Sequence, residues 1–305
     1  MSKGSQFEIP VLFLTFNRLN TAKKVFAEIK KSNVSKLYIS SDGPRENKPE
    51  ENEIIEEIRS YILGNIDWEC EIFTMFNNTN LGCKTAVSNA INWFFDNEEM
   101  GIVLEDDCLP SQSFFPYCEQ LLRHYKDDER VFLISGYNKQ QKWKHDQQDY
   151  FFSNLGGIWG WASWRRAWKF YDVDANDLDE FIYQDGFTNS LGVELGKLKQ
   201  DMIYTGLRQN LLDSWALQWG YARHKNNGLT CIPSISQIQN IGFGEDATHT
   251  IGEDEANVIN FEIEMPMKEN TFVVPDLEYD SMVFERPSYV KRLFKKISKF
   301  FSNLN

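Results

Sequence analysis

The chain has 305 residues with ordinary apolar (42%) and charged (25%) fractions, enough to bury a sizeable core as one large domain or two small ones. Its apolar runs, such as Ile9 to Phe16, fall far short of the roughly 20 residues that cross a bilayer, no charged-then-apolar leader opens it, and five scattered cysteines without a C-x-x-C pair exclude a disulfide framework or zinc site and point to a reducing cytoplasm. A formal charge of −13 makes the body a poor partner for nucleic acid, although the segment from Pro287 carries Lys291, Arg292, Lys295, Lys296 and Lys299 with no acidic residue.

In chain order, short apolar runs predict buried strands at Ile9–Thr15, Lys36–Ser40, Cys70–Phe76, Ile102–Leu104 and Val131–Ser135. Helical periods separate them at Thr21–Lys30, Glu53–Leu63, Thr85–Phe95 and Phe114–Tyr125. Strand-helix alternation with short connections predicts an open, mostly parallel α/β sheet of Rossmann-like type, flanked by helices. Residues 1–150 form this half. An aromatic, glycine-rich segment, Phe151 to Tyr171, begins a smaller half at 151–286, as a change of layer within one body. It continues through a polar acidic region (Asp172–Asp201), a helix at Leu211–His224, a strand at Leu229–Ile232 and a glycine-bearing loop at 240–249. The last stretch, 287–305, places Val290, Leu293, Phe294, Ile297, Phe300, Phe301 and Leu304 at helical spacing opposite its cations, the pattern of a helix lying on an anionic membrane. A helix docked on the protein's own acidic body fits the same pattern.

Ligands of open α/β sheets bind beyond the carboxyl ends of the strands. Five polar strand ends therefore carry the chemistry: Thr15-Phe16-Asn17-Arg18, Ser41-Asp42-Gly43-Pro44, Asn77 to Gly82, Glu105-Asp106-Asp107 and Gly136-Tyr137-Asn138. Three adjacent carboxylates are electrostatically costly unless a cation or donors compensate. An isolated E-D-D triplet reads as a solvated loop that caps a helix near Ser113; its place after Gly101-Ile-Val-Leu104 favours a Mg²⁺ or Mn²⁺ site that receives a diphosphate. Asn80, Gly82 and Lys84 precede a helix, where free N–H groups, a permissive glycine and a cation make an anion site; an ordinary N-terminal turn is the plainer reading. A P-loop is absent from the sequence. Trp159 or Trp161 offers a flat face to a sugar, with neighbouring glycines allowing close approach, whereas Trp164 and Trp168 are assigned to the core.

The run Gly101 to Phe115 resembles the variant D-x-D segment of A-fold (GT-A) nucleotide-diphospho-sugar glycosyltransferases, especially the N-acetylglucosaminyltransferase I family. Thr15 to Arg18, Ser41 to Gly43 and Asn80 to Gly82 extend the resemblance over the first half. Beyond Tyr150 it is looser, resting on Gly160-Trp-Ala-Ser-Trp164 and Asp213-Ser-Trp215, which look like segments of bacterial family-two-like transferases.

The resemblance implies that Asp107 ligates the metal, with Glu105 and Asp106 facing the donor's ribose and sugar. It also implies that Thr15, Asn17 and Arg18 line the nucleotide, and that Asp42 accepts hydrogen bonds from it; a plain turn explains Asp42-Gly43-Pro44 equally. Asp213 would be the catalytic base, or else a carboxylate placed at a helix N-terminus, and His249 would reach the metal or diphosphate. The function so implied is metal-dependent inverting transfer from a UDP-sugar to a glycan or lipid-linked glycan acceptor in bacterial surface polysaccharide synthesis. The protein would then be cytoplasmic, in peripheral contact with the inner face of the membrane through 287–305. A sugar-nucleotide nucleotidyltransferase, or an inactive sugar-binding protein on the same fold, is the alternative.

Overall fold

The computed structural model describes residues 6–209, 213–243 and 258–285. His249 and the basic tail 287–305 lie outside the described residues.

The first half alternates as its periodicity predicts: β1 (Val11–Thr15), α1 (Leu19–Lys31), β2 (Lys36–Ser41), α2 (Glu51–Gly64), β3 (Glu71–Phe76), α3 (Cys83–Asn97) and β4 (Met100–Glu105). A short β5 (Cys108–Pro110), α4 (Phe114–His124) and β6 (Val131–Ser135) complete it. The second half holds β7 (Tyr150–Ser153), β8 (Trp161–Trp164), α5 (Arg165–Trp168), α6 (Leu178–Tyr183), α7 (Gly186–Leu191) and α8 (Val193–Arg208). It ends with α9 (Ala216–Lys225), β9 (Leu229–Pro233), β10 (Ile238–Asn240) and α10 (Leu277–Glu285).

Eight strands form one mixed sheet in the order β3-β2-β1-β4-β8-β6-β9-β7. The β3-β2-β1-β4 run is parallel throughout, β8 pairs antiparallel with both β4 and β6, β9 is parallel to β6, and β7 closes the edge antiparallel. The architecture is thus a Rossmann-like α/β sheet flanked by helices, and it runs across residue 150 without interruption.

The twofold period of the strands sorts side chains to two faces. Val11, Phe13, Ile102, Leu104, Ala162 and Trp164 pack with α1, α2 and α4 on one side. Leu12, Leu14, Val103 and Trp161 pack with α3, α5 and α9 on the other. Trp161 is therefore a core residue, fully buried and stacked on Trp215 at 5.7 Å, which corrects its reading as a sugar platform. Trp164 and Trp168 are also core. The strand β8 escaped the sequence reading because a buried four-residue strand with large side chains on both faces shows no polar alternation. The acidic region folds as α6, α7 and α8 around a separate small cluster of Leu178, Phe187, Met202, Ile203 and Tyr221. Among the described residues, no helix is long and apolar enough to cross a membrane.

Candidate active site

Because β1, β2, β3, β4 and β6 run in one direction, their carboxyl ends share one edge of the sheet. Glu105 ends β4, and Asp106 and Asp107 form the tight turn into β5. The triplet is not a solvated loop: Asp106 is 2% exposed and Asp107 9%. The helix start near Ser113 is capped instead by Glu262, which accepts from Gln112 N at 2.9 Å and Ser113 N at 2.7 Å.

Arg18, at the end of β1, meets both aspartates. Its Nη1 donates to Asp107 Oδ2 at 2.7 Å and its Nη2 pairs with Asp106 Oδ1. Phe16 N donates to Asp106 Oδ2 at 3.1 Å. Part of the compensation that a metal was expected to supply is therefore built into the chain as a guanidinium, 88 and 89 residues away in sequence. Burial pulls the guanidinium down, but Asp106 and Asp107 outweigh it and raise Arg18 above its ordinary value. One cation does not balance three acids. Burial, then Asp107, raises the Glu105 carboxyl against Arg18, and burial likewise raises Asp106.

A late loop closes this corner. Ile241 N donates to the Asp107 carbonyl at 2.8 Å, and a Cβ on Gly242 would collide with Asp107 and come within 2.8 Å of Arg18 Nη1.

The second constellation gathers at the start of α3. Gly82 caps it with φ +83°, a backbone region that disfavours side chains, and a Cβ there would lie 2.7 Å from Asp213 Oδ2. The Asp213 carboxylate accepts from Cys83 N at 2.7 Å and Lys84 N at 3.0 Å. The helix N-terminus that the sequence offered as a phosphate site is met by the carboxylate of Asp213. Asp213 caps a helix other than the one that follows it, an interaction worth about 1 kcal/mol.

The Cys83 thiol, which sequence reading did not single out, lies among these groups. It is pushed up to about 12 by burial and then by the charges of Glu105, Asp213 and Asp42, with Arg18 opposing. The ends of β1, β2 and β4 and the start of α3 therefore share one electrostatic neighbourhood.

Other predicted residues are engaged by the scaffold. Thr15 is buried and donates to Ser40 O at 3.3 Å, so its hydroxyl joins two strands. Asn17 Nδ2 donates to Glu51 Oε1 at 3.0 Å. The Asp42 carboxylate accepts from Gly43 N (3.0 Å), Asn77 Nδ2 (3.0 Å), Asn80 Nδ2 (2.9 Å) and Leu81 N (3.1 Å). These donors occupy most of its lone pairs, so Asp42 ties the β3–α3 connection to β2. Asn80 also donates to Gly43 O at 3.1 Å. Arg59, unnoticed in the sequence, clamps the same corner by donating to the carbonyls of Ser41 (3.1 Å) and Asn77 (2.8 Å). Trp159 is half-buried, against Tyr137 at 4.6 Å and Phe243 at 5.8 Å between ring centroids.

No group of three or more His, Cys, Asp or Glu side chains suited to a metal occurs among the described residues. The donors present still fit a Mg²⁺ or Mn²⁺ that takes one carboxylate and completes its shell with phosphate oxygens and water. Asp107 would be the carboxylate for that role: Oδ2 bonds Arg18, and among the described residues Oδ1 meets the weak Cys108 Sγ donor at 3.4 Å.

No protein-family model matches the chain, and no curated protein matches it. Among solved structures it is similar to HddC from Yersinia pseudotuberculosis, at 15% identity over 42% of this chain and 57% of that one, with a TM-score of 0.29. It is similar to 4-diphosphocytidyl-2C-methyl-D-erythritol synthase from Anaerococcus prevotii DSM 20548, at 9% identity over 79% and 96% with a TM-score of 0.38. The glycosyltransferase GlyE of Streptococcus pneumoniae TIGR4 matches at 11% identity over 67% and 44% with a TM-score of 0.32. The chain thus spans less than two thirds of the length of HddC and of GlyE. The fold assignment rests on the strand order and directions of the chain itself.

Proposed function

We propose that the chain is an inverting, metal-dependent glycosyltransferase that moves a hexosyl or N-acetylhexosaminyl unit from a UDP-sugar to a hydroxyl of a glycan or lipid-linked glycan in bacterial surface polysaccharide synthesis. The observation that carries this reading is the meeting of Glu105, Asp106, Asp107, Arg18 and Asp213 about one strand-end edge, with excess negative charge beside a resident guanidinium.

In this reading Asp107 would hold Mn²⁺ or Mg²⁺, which when bound would supply positive charge for the phosphates of the donor. Arg18 is poised to share that task, since a guanidinium bonded to two carboxylates can turn one fork toward an incoming phosphate. Glu105 orients the donor's ribose and sugar, while Asp106, buried and bonded to Phe16 N and Arg18, fixes the guanidinium beside it. Asp213 removes the acceptor hydroxyl's proton; Cys83 N and Lys84 N occupy about half of its lone pairs and leave the rest to accept. Those two N–H groups also hold the carboxylate in a fixed orientation, which a positioned base requires.

A hydrolysis screen over UDP-, GDP-, CDP- and dTDP-sugars with either metal tests the donor site. Metal-dependent release of UDP, lost in Asp107→Ala, is expected. Failure of every sugar nucleotide to hydrolyse or to stabilise the fold would refute the donor site. Release of pyrophosphate from a nucleoside triphosphate and a sugar 1-phosphate would instead identify a nucleotidyltransferase.

A further inference from the structure

A cavity of about 270 Å³ opens beside the strand-end site, between the 155–159 segment, α8, α9 and α10. Trp159 forms one wall and touches Phe243, the neighbour of the Gly242 that packs on Asp107. Ala216 and Leu217, just after Asp213, form another.

The chemistry of its lining is opposite to that of the triplet. Lys139, Lys199 and Arg223 all line it, and among the described residues none of the lining side chains is acidic. Arg223 is 97% buried (3% exposed). It bonds the Thr230 hydroxyl through Nη1, while its Nε N–H has no acceptor among the described residues. The indole N–H of Trp219, also on the lining, likewise has no acceptor among them. A buried donor without an acceptor costs roughly 1–3 kcal/mol, more when charged, so such a pair marks a place where an acceptor belongs.

The like charges act on one another. Burial, then Arg223 and Lys139, pulls the Lys199 ammonium down to about 7, with Asp280 on α10 opposing. Asp280 is itself held by Ser153 and by Asn154 Nδ2 at 2.9 Å. Arg223 stays charged, because a guanidinium does not lose its proton in this range.

We propose that this cavity binds a sugar-sized molecule bearing an oxyanion, either a carboxylate or a phosphate. An oxyanion only accepts hydrogen bonds, which matches donors that lack acceptors, and its charge relieves the repulsion among the cations. The volume lies near the lower end of the roughly 300–1,000 Å³ usual for ligand pockets, room for one sugar unit and not for an oligosaccharide. Trp159 supplies an apolar face for the ring. That the bound molecule is the glycosyl acceptor rests on the transferase reading; that the cavity binds an oxyanion does not.

Calorimetric titration of the full chain at pH 6, without nucleotide or metal, tests the site independently of transfer. Inorganic phosphate, glucose 1-phosphate, glucuronate and glucose are the probes. Glucose 1-phosphate or glucuronate is expected to bind at least about tenfold more tightly than glucose, and the tighter of the two identifies the oxyanion. Phosphate alone is expected to compete with it. Lys199→Met should weaken binding about tenfold or more while Lys199→Arg retains it, and Lys139→Met serves as a second charge deletion should the first not fold. Equal affinity for glucose, failure of all three anions to bind, or undiminished anion binding in the folded Met variants would overturn the proposal.

Discussion

Two charged corners of this molecule lie side by side and are built on opposite plans. At the end of β4, Glu105, Asp106 and Asp107 stand against a single guanidinium, and Arg18 reaches two of the three directly. In the neighbouring cavity three cations stand on the lining, and among the described residues no lining side chain is acidic and the Nε of the buried Arg223 has no acceptor. The difference teaches how charge is divided between scaffold and ligand. Where the counter-charge sits on the chain, as at Arg18, removing it breaks the structure. Where a buried donor finds no acceptor among the described residues, as at Arg223 Nε, an acceptor is expected to come from outside, and removing a lining cation should cost binding more than folding.

The first way to break this comparison is Arg18→Met. It strands Asp106 and Asp107 as buried, unpaired acids, and is expected to destabilise the fold by about 3–5 kcal/mol, against little change in Lys199→Met. Denaturant unfolding of the two variants measures this, and equal losses would erase the distinction. Next in size is Asp213, whose two roles can be separated. Asp213→Asn retains an oxygen that can cap α3 but cannot take a proton. It should lose about a hundredfold or more in turnover while stability changes by only a few tenths of a kcal/mol, whereas Asp213→Ala should lose turnover and about 1 kcal/mol. Turnover that survives in Asp213→Asn would assign the base to another residue.

The smallest expected effect is the pH dependence of anion binding. The Lys199 ammonium faces Arg223 and the neutral His224 from α9, Lys139 beyond β6, and Tyr279 and Asp280 from α10. His224 is held neutral by burial and by Lys199 and Arg223. A bound anion is expected to raise Lys199 above its value of about 7. Affinity is therefore full below that point and falls as pH rises through it, by about tenfold before Lys199 in the complex also deprotonates. Titrations from pH 6 to pH 9 check the sign, and tighter binding at high pH would contradict it.

The first-half elements were legible because they are local. Strand β6 has the predicted bounds, and the four early helices begin and end within two residues of their hydrophobic periods. The shared edge of polar strand ends followed from the same alternation, since right-handed crossovers leave parallel strands little choice. The sequence by itself therefore determined the α/β class and the common edge on which the polar strand ends, the 105–107 triplet among them, stand.

Only the tertiary structure decided what those residues touch. Asp213 meets the start of α3 across 130 positions of chain, and Asp42 turns inward onto Asn77, Asn80 and Leu81. Trp161 enters the middle of the sheet, and Lys139, Lys199 and Arg223 come together from a loop and two helices that share no sequence pattern. The physical reason is one of range: periodicity, caps and turns act over a few residues, whereas charge compensation and burial depend on which distant segments the strand order brings into contact.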